Sequence, residues 1–366
     1  MLNNQRSIGT HESVAMSMLK SQEMASQHRM IIHPSDQFAC GHYRMLQPAH
    51  TLHVAGGVLP IASFNYIAAK ELFAFKPNAI VVQKQFKPEQ VDNLKAYKKA
   101  WPDAALIMDI DDLVWNLIGS TIPRMNKEEL KGLAEAFKLA DRVVCSTLSL
   151  AKFVRNTYKV GSVVLPNFIS GKHYQAPKPR VNDRLRVCWA GGGFHREDLK
   201  LMEKVVLGTA DLVDWIFIGD APKNAEKWAY KVIRDWVPTP KWMDFLSSCY
   251  IDLATAPLQD NAFNRCKSNL KLIEWNSIGV PVIASDVEPY KENRGPLIPV
   301  GKKEADLWIE SVRTIAENEQ LRMALAMDSF VWSARYNMEG NLDNQRRAWL
   351  MPVKEQPEQP EITLNS

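Results

Sequence analysis

Short apolar segments alternate with amphipathic helical patterns along almost the whole chain, and the alternation runs twice. In the first half, strands are expected at Met30–His33, Ala79–Val82, Ala105–Asp109, Val143–Ser146 and Val163–Leu165, with helices over Pro88–Ala100 and Lys127–Leu139 between them. Ile169–Asp183, which contains Pro177 and Pro179, reads as a linker. The pattern restarts at Leu185–Ala190 and continues through Trp215–Ile218, Val232–Val237, Ile251–Ala256, Val280–Ala284 and Leu297–Val300. Helices are expected here over Asp198–Leu207, Lys241–Ser247, Lys267–Ile278 and Leu307–Asn318, with a further helical run to about Trp349. Strand–helix–strand alternation builds parallel sheets, so the expected class is α/β, two facing doubly wound (Rossmann-like) domains with a cleft between their strand C-termini. A length of 366 residues is comfortable for two such domains, each with its own core. The expected boundaries are a polar N-terminal tail over 1–28, a first domain over 29–172, a second over 180–330, a helix over 331–350 and a tail over 351–366.

The segment from Phe263 to Ser285 carries the most chemistry. It reads as a polar loop, a helix capped by Ser268 or Asn269, a stop at Gly279 and a buried strand that opens at Pro281. Lys267, Lys271 and Glu274 recur at i, i+4 and i+7, so two cations and a carboxylate are expected on one face, with Leu270, Leu272 and Ile273 turned to the core. A helix N-terminus with free N–H groups and two lysines holds an anion such as a diphosphate. A carboxylate two turns on lies about a ribose away, at about 1.5 Å of rise per residue.

This segment resembles the signature of the family-four retaining glycosyltransferases of GT-B fold, including phage-encoded relatives. In that signature a Glu, seven residues and a second Glu precede a small-residue run ending in Gly-x-Pro-Val-Ile-Ala-Ser. The second Glu, which holds the donor ribose in the family, matches Glu274; the first, which touches the transferred sugar, falls at Cys266, where this chain departs from the pattern. Asn264 and Lys267 are the neighbours available to substitute. The resemblance implies a nucleotide-diphosphate sugar as donor, retention at the anomeric carbon, no required cofactor or metal, and a last helix returning to the first domain. It also implies that Pro166-Asn167 closes the first domain.

Further candidates flank this segment. Leu185–Ala190 runs into Gly191-Gly192-Gly193-Phe194-His195-Arg196, where a strand entering glycines lets backbone amides approach a phosphate, though a plain flexible turn has the same pattern. The resemblance puts Gly192, Gly193 and His195 or Arg196 against the diphosphate. Ile107-Met108-Asp109-Ile110-Asp111-Asp112 places three carboxylates at the end of a strand, suited to a base, a metal or acceptor hydroxyls, or simply to capping. Asp111 and Asp112 resemble the Asp-Asp element of related glycosyltransferases and stand with Lys267 and Lys271 as the catalytic candidates. Cys40–Arg44 resembles the glycine loop that faces the transferred sugar, with Gly41 as the contact and Arg44 either in the cleft or on the surface. His42, His50 and His53 lack a Cys or carboxylate to complete a metal site, so no metal is assigned. Among the eleven tryptophans, Trp228, Trp236 and Trp242 suit packing, with stacking on a sugar or base as the minority role.

Composition narrows the partners. A hydrophobic share of 46%, a charged share of 23% and a net charge of +4 suit a globular enzyme and do not by themselves call for a polyanion. Five cysteines without a C-x-x-C pair, no apolar run of spanning length and no signal-peptide core point to a reducing, cytoplasmic setting with no transmembrane segment. The expected function is glycosyl transfer to a hydroxyl acceptor, a saccharide in the first instance. The phage-encoded relatives raise hydroxymethylated DNA as a second acceptor, for which Arg29, Lys84, Lys87, Lys95, Lys98 and Lys99 would form part of a basic channel. A dinucleotide-dependent oxidoreductase is disfavoured by the missing third glycine after Gly191. A catalytically silent nucleotide-sugar binding module remains the other alternative, on the strength of Cys266. Oligomeric state is not legible.

Overall fold

The computed structural model describes residues 27–115, 125–192 and 195–350; Gly193, the tail over 351–366 and all but the last two residues of the 1–28 tail lie outside the described residues. Six strands form the first sheet: β1 (His28–His33), β2 (Val58–Ala62), β3 (Ala79–Gln83), β4 (Ala105–Ile110), β5 (Arg142–Cys145) and β6 (Ser162–Val164). All pair in parallel in the order β2-β1-β3-β4-β5-β6. Its helices are α1 (Ala39–Gly41, a π turn over His42–Leu46, then Gln47–Val54), α2 (Ala69–Phe75), α3 (Pro88–Ala100), α4 (Lys127–Leu139) and α5 (Leu148–Tyr158). β3 is buried along its whole length and β4 nearly so, as expected of parallel strands covered on both faces.

The second sheet repeats the plan with β7 (Leu185–Gly191), β8 (Val213–Gly219), β9 (Lys231–Ile233), β10 (Leu253–Ala256), β11 (Val282–Ser285) and β12 (Leu297–Ile298), parallel in the order β12-β11-β10-β7-β8-β9. Its helices are α6 (Met202–Leu207), α7 (Trp242–Ser248), α8 (Ala262–Arg265), α9 (Leu270–Ser277), α10 (Glu304–Glu317) and α11 (Glu319–Ser333), and α12 (Leu342–Trp349) ends the described chain. Two doubly wound Rossmann-like sheets thus follow one another. The strand the sequence reading omitted, β2, contains Pro60 and lies at a sheet edge, where the missing N–H of proline is tolerated.

The two halves share a core. One continuous cluster of buried side chains joins Met30, Val81 and Val144 of the first sheet to Ala254 of the second, to Leu272 and Trp275 of α9 and to Trp332 and Trp349 near the C-terminus. α12 crosses back to the first sheet, where Arg142 of β5 donates to the carbonyls of Arg347 and Ala348 at 3.1 and 2.8 Å. Ile169 is clasped by Tyr336 and Met338 through backbone hydrogen bonds. No helix of the described residues is long and apolar enough to cross a membrane.

Candidate active site

The expected helix over Lys267–Ile278 begins only at Leu270, with Asn269 at its N-cap position, and a separate short helix precedes it. α8 ends at Arg265 and α9 begins at Leu270, so Lys267 sits in the turn between them rather than on a shared helical face with Lys271 and Glu274. The turn has a packing cause. Phe263 and Cys266 are buried in the apolar cluster of the first domain, among Ile110, Leu113 and Leu150, and Thr147 Oγ1 donates to the Cys266 carbonyl at 2.9 Å. Anchored there, the chain turns before α9 returns to its own sheet. Cys266 therefore faces the first domain's interior, not the cleft.

Lys267 and Lys271 nevertheless converge. The Lys267 ammonium lies 5.1 Å from the centre of the Phe263 ring. The Lys271 ammonium lies 4.8 Å over the Trp189 ring and donates to the Ala190 carbonyl at the end of β7. A Cβ on Gly191 would stand 2.9 Å from that ammonium, so glycine here makes room for the lysine. Neither lysine forms an ion pair among the described residues. Burial pulls both ammonium groups down, Lys271 to about 8 with Lys267 adding repulsion and Glu274 opposing it. An anion placed between them would relieve both effects.

Glu274 is fixed from across the cleft, where Tyr43 of α1 donates to its Oε1 at 2.8 Å. Burial raises the Glu274 carboxyl, against the Tyr43 hydroxyl and Lys271. Tyr43 was not foreseen, because nothing in a lone tyrosine signals a partner 231 positions away. Ser268 and Asn269 stand at the start of α9 but do not cap it with their side chains. Ser268 Oγ accepts from Asn167 at 3.0 Å, and Asn269 donates to the Tyr336 hydroxyl at 2.9 Å. Both brace the domain junction.

His195 is held by an acidic neighbour. Its Nδ1 is 2.8 Å from Asp198 Oδ2, and Asp198 Oδ1 accepts from the Gln259 amide at 2.8 Å and from Asn264 at 3.3 Å. Burial, with Lys267 and Lys271 nearby, brings the imidazole down to about 4 although Asp198 opposes this. At neutral pH the ring is uncharged; its proton sits on Nδ1 against the carboxylate, and Nε2 is an acceptor. The His-x-x-Asp spacing of 195 and 198 was the available signal. Arg196 is at the rim, its side chain 76% exposed and Nε 3.2 Å from Asp220. Gly192 is exposed, with nothing within 4 Å of where a Cβ would be.

On the first-domain side, Arg44 and Asp109 leave the candidate set. Arg44 is buried and binds Asp109 with two hydrogen bonds at 3.0 and 2.7 Å, while also donating to Leu165 and Asn167. The pair locks α1 to β4. Asp111 is matched by Lys84 at 2.9 Å. Burial opposes ionisation of Asp111, but Lys84 outweighs it and keeps the carboxyl low. Asp112 is raised by burial and by Asp111, and lies within electrostatic reach of Lys267. Cys40, Asp111 and Asp112 bring ligand atoms within 4.8 Å of one another, with the Lys84 ammonium already supplying a positive charge. Gly41 is helical, not in a loop; its amide donates to Asp36 at 3.0 Å, and a Cβ there would lie 1.9 Å from the Asp36 carbonyl oxygen. The glycine serves close packing, and its N–H is committed. His50 and His53 are exposed on α1.

Three of the basic residues considered for DNA are held by carboxylates. Lys84 is taken by Asp111, Lys95 by Asp92 and Glu135, and Lys98 by Asp141. Arg29 lies near the N-terminal end of β1, away from the strand ends that carry Asp111 and Asp112.

No family model matches the chain, and no curated protein matches its sequence. Solved structures do. HepE of Anabaena, in complex with UDP and glucose, aligns over 88% of this chain and 98% of that one, with a TM-score of 0.59 and 12% identity. The lipopolysaccharide outer core galactosyltransferase WaaB aligns over the same shares with a TM-score of 0.53 and 12% identity. The fold is GT-B. TarM aligns with a TM-score of 0.54 and 14% identity over 74% of this chain, which spans about half of TarM's length. In the GT-B frame, Lys267, Lys271 and Glu274 belong to the second domain and Asp111 and Asp112 to the first, and Tyr43 of the first domain reaches Glu274 of the second.

Proposed function

We propose that this GT-B protein is a glycosyltransferase that moves a sugar from a nucleotide-diphosphate sugar to a hydroxyl of a saccharide, with retention at the anomeric carbon. The observation that carries the reading is the pair of desolvated lysines without an ion-pair partner among the described residues, Lys271 at the end of β7 and Lys267 in the turn before α9, the helix that carries Glu274. A departing diphosphate develops charge where those ammonium groups stand, and in a low-dielectric site such stabilisation is the largest catalytic contribution. Glu274 would take the ribose hydroxyls on the oxygen that Tyr43 leaves. His195 Nε2 would accept from a hydroxyl of the transferred sugar, and Asp112, the carboxylate that Lys84 does not neutralise, would meet the acceptor. The signature around Glu274 supports family-four chemistry and hence retention. Of the two substitutes for the first Glu, Asn264 is buried and donates to Asp198 and the Gln259 carbonyl, which leaves Lys267.

Product analysis tests the finer parts. A saccharide product with the donor's anomeric configuration by NMR is expected. An inverted product would remove retention, and sugar incorporation into hydroxymethylated DNA, with affinity falling steeply as salt rises, would replace the acceptor.

A further inference from the structure

Phe38 and Trp236 are large aromatic side chains left in solvent, 58% and 69% exposed, and they meet from the two domains. The rings stand edge to face with centroids 6.5 Å apart, a contact that covers little of either. Both belong to connections that open on the cleft. Phe38 immediately precedes α1 and is two residues before Cys40, whose Sγ lies within 4.8 Å of a carboxylate oxygen of Asp111 and of Asp112. Two residues of chain span at most about 7 Å, so the Phe38 backbone stays close to the Asp111–Asp112 end of the cleft. Trp236 lies between β9 and α7, and Trp242 at the start of that helix hydrogen-bonds the Glu274 carboxylate.

The loops that carry the two rings are stiff. Gln83, fully buried at the end of β3, accepts from the Ser35 amide at 3.1 Å and donates to the Cys40 carbonyl at 3.2 Å, which pins the Phe38 loop at both ends. Within it, Asp36 accepts from the Phe38 amide at 2.9 Å. Beyond Trp236, Pro238 and Pro240 fix their own φ angles and restrict the residues before them. Two apolar rings held in water on stiff backbone lose hydration free energy that a ligand laid against them recovers, with little ordering left to pay. Gln37 and Asp235, exposed beside the two aromatics in the chain, add hydrogen-bonding groups.

We infer that Phe38 and Trp236 form a specificity subsite for the acceptor, holding the sugar unit next to the one that is glycosylated, so that the acceptor is a saccharide of two or more units. The inference rests on the glycosyl transfer proposed above. A pyranose has a face of C–H groups and a rim of hydroxyls; the face packs on an aromatic ring, and Gln37 and Asp235 suit the rim. Phe38 stands in the first domain with Asp111 and Asp112, which favours the acceptor over the base of the donor.

The probe is an array of immobilised mono-, di- and trisaccharides, read with the full chain in the presence of UDP, ADP or GDP, whose own affinities are measured by calorimetry. Expected is binding to at least one di- or trisaccharide and not to its monosaccharide components. Trp236→Ala and Phe38→Ala, both at exposed positions, should each weaken it at least tenfold while nucleoside diphosphate affinity stays within twofold of the wild type. Trp236→Phe, which keeps an aromatic face, should retain most of the binding. No saccharide bound by the wild type, binding unchanged in both alanine variants, or nucleoside diphosphate affinity lost in them would overturn the subsite. Saccharide binding that needs both rings, in a wild type with no affinity for any nucleoside diphosphate, would uphold the saccharide site and remove the glycosyl transfer proposed above.

Discussion

The spacing of Lys267, Lys271 and Glu274 marked them as candidates, but it does not encode the contacts that hold them. The spacing rested on one continuous helix, whereas Lys267 reaches the group from a turn. Tyr43 and Trp189, which position Glu274 and Lys271, are brought in by tertiary packing that no local pattern encodes. Lys267→Ala and Glu274→Ala should each lower transfer well over tenfold with circular dichroism unchanged, since loss of about 1.4 kcal/mol of transition-state stabilisation already gives tenfold; wild-type rates in both would remove the assignment. Lys271 adds a pH signature. Its folded-state value of about 8 lies below the ordinary 10.5, so the ammonium is present below about 8 and lost above it. Affinity for a nucleoside diphosphate should therefore fall as pH rises through about 8, and Lys271→Met should flatten that step. The same shift makes the ligand-free protein gain stability between about 8 and 10.5, where the unfolded chain holds the extra proton.

At the scale of elements, the alternation of strands and helices was readable because parallel strands need apolar runs and amphipathic crossovers. What escaped were the pieces set by neighbours, namely the edge strand β2 with its proline and the turn before α9. The turn after β4 now separates two carboxylates that looked equivalent. Asp112→Asn should impair transfer at least tenfold while nucleoside diphosphate binding persists. Asp111→Asn strips Lys84 of its partner and should cost about 3 kcal/mol of stability, read by denaturant unfolding. The α8 turn makes a further distinction. Cys266 is 4% exposed and its thiol is pushed up to about 11 by burial, so it carries no thiolate for catalysis at neutral pH. Cys266→Ala should keep substantial activity, and complete loss with the fold intact would contradict this placement.

For the whole molecule, the two sheets and their order follow from connection rules, while the union of the halves depends on contacts far apart in sequence. Trp349 is fully buried in the shared core, and Arg142 grips the end of α12. Trp349→Ala should cost about 3–5 kcal/mol, lowering the unfolding midpoint of the chain as a unit. The proposed function makes the cleft between the domains the place where a sugar parts from a nucleoside diphosphate. Its most direct test is release of nucleoside diphosphate from a panel of nucleotide-diphosphate sugars, with and without saccharide acceptors. The account predicts release from at least one donor by the wild type and at least tenfold less by Lys267→Ala and Glu274→Ala; a folded wild type that binds a donor but releases nothing with any acceptor, or equal release by all three proteins, would contradict it.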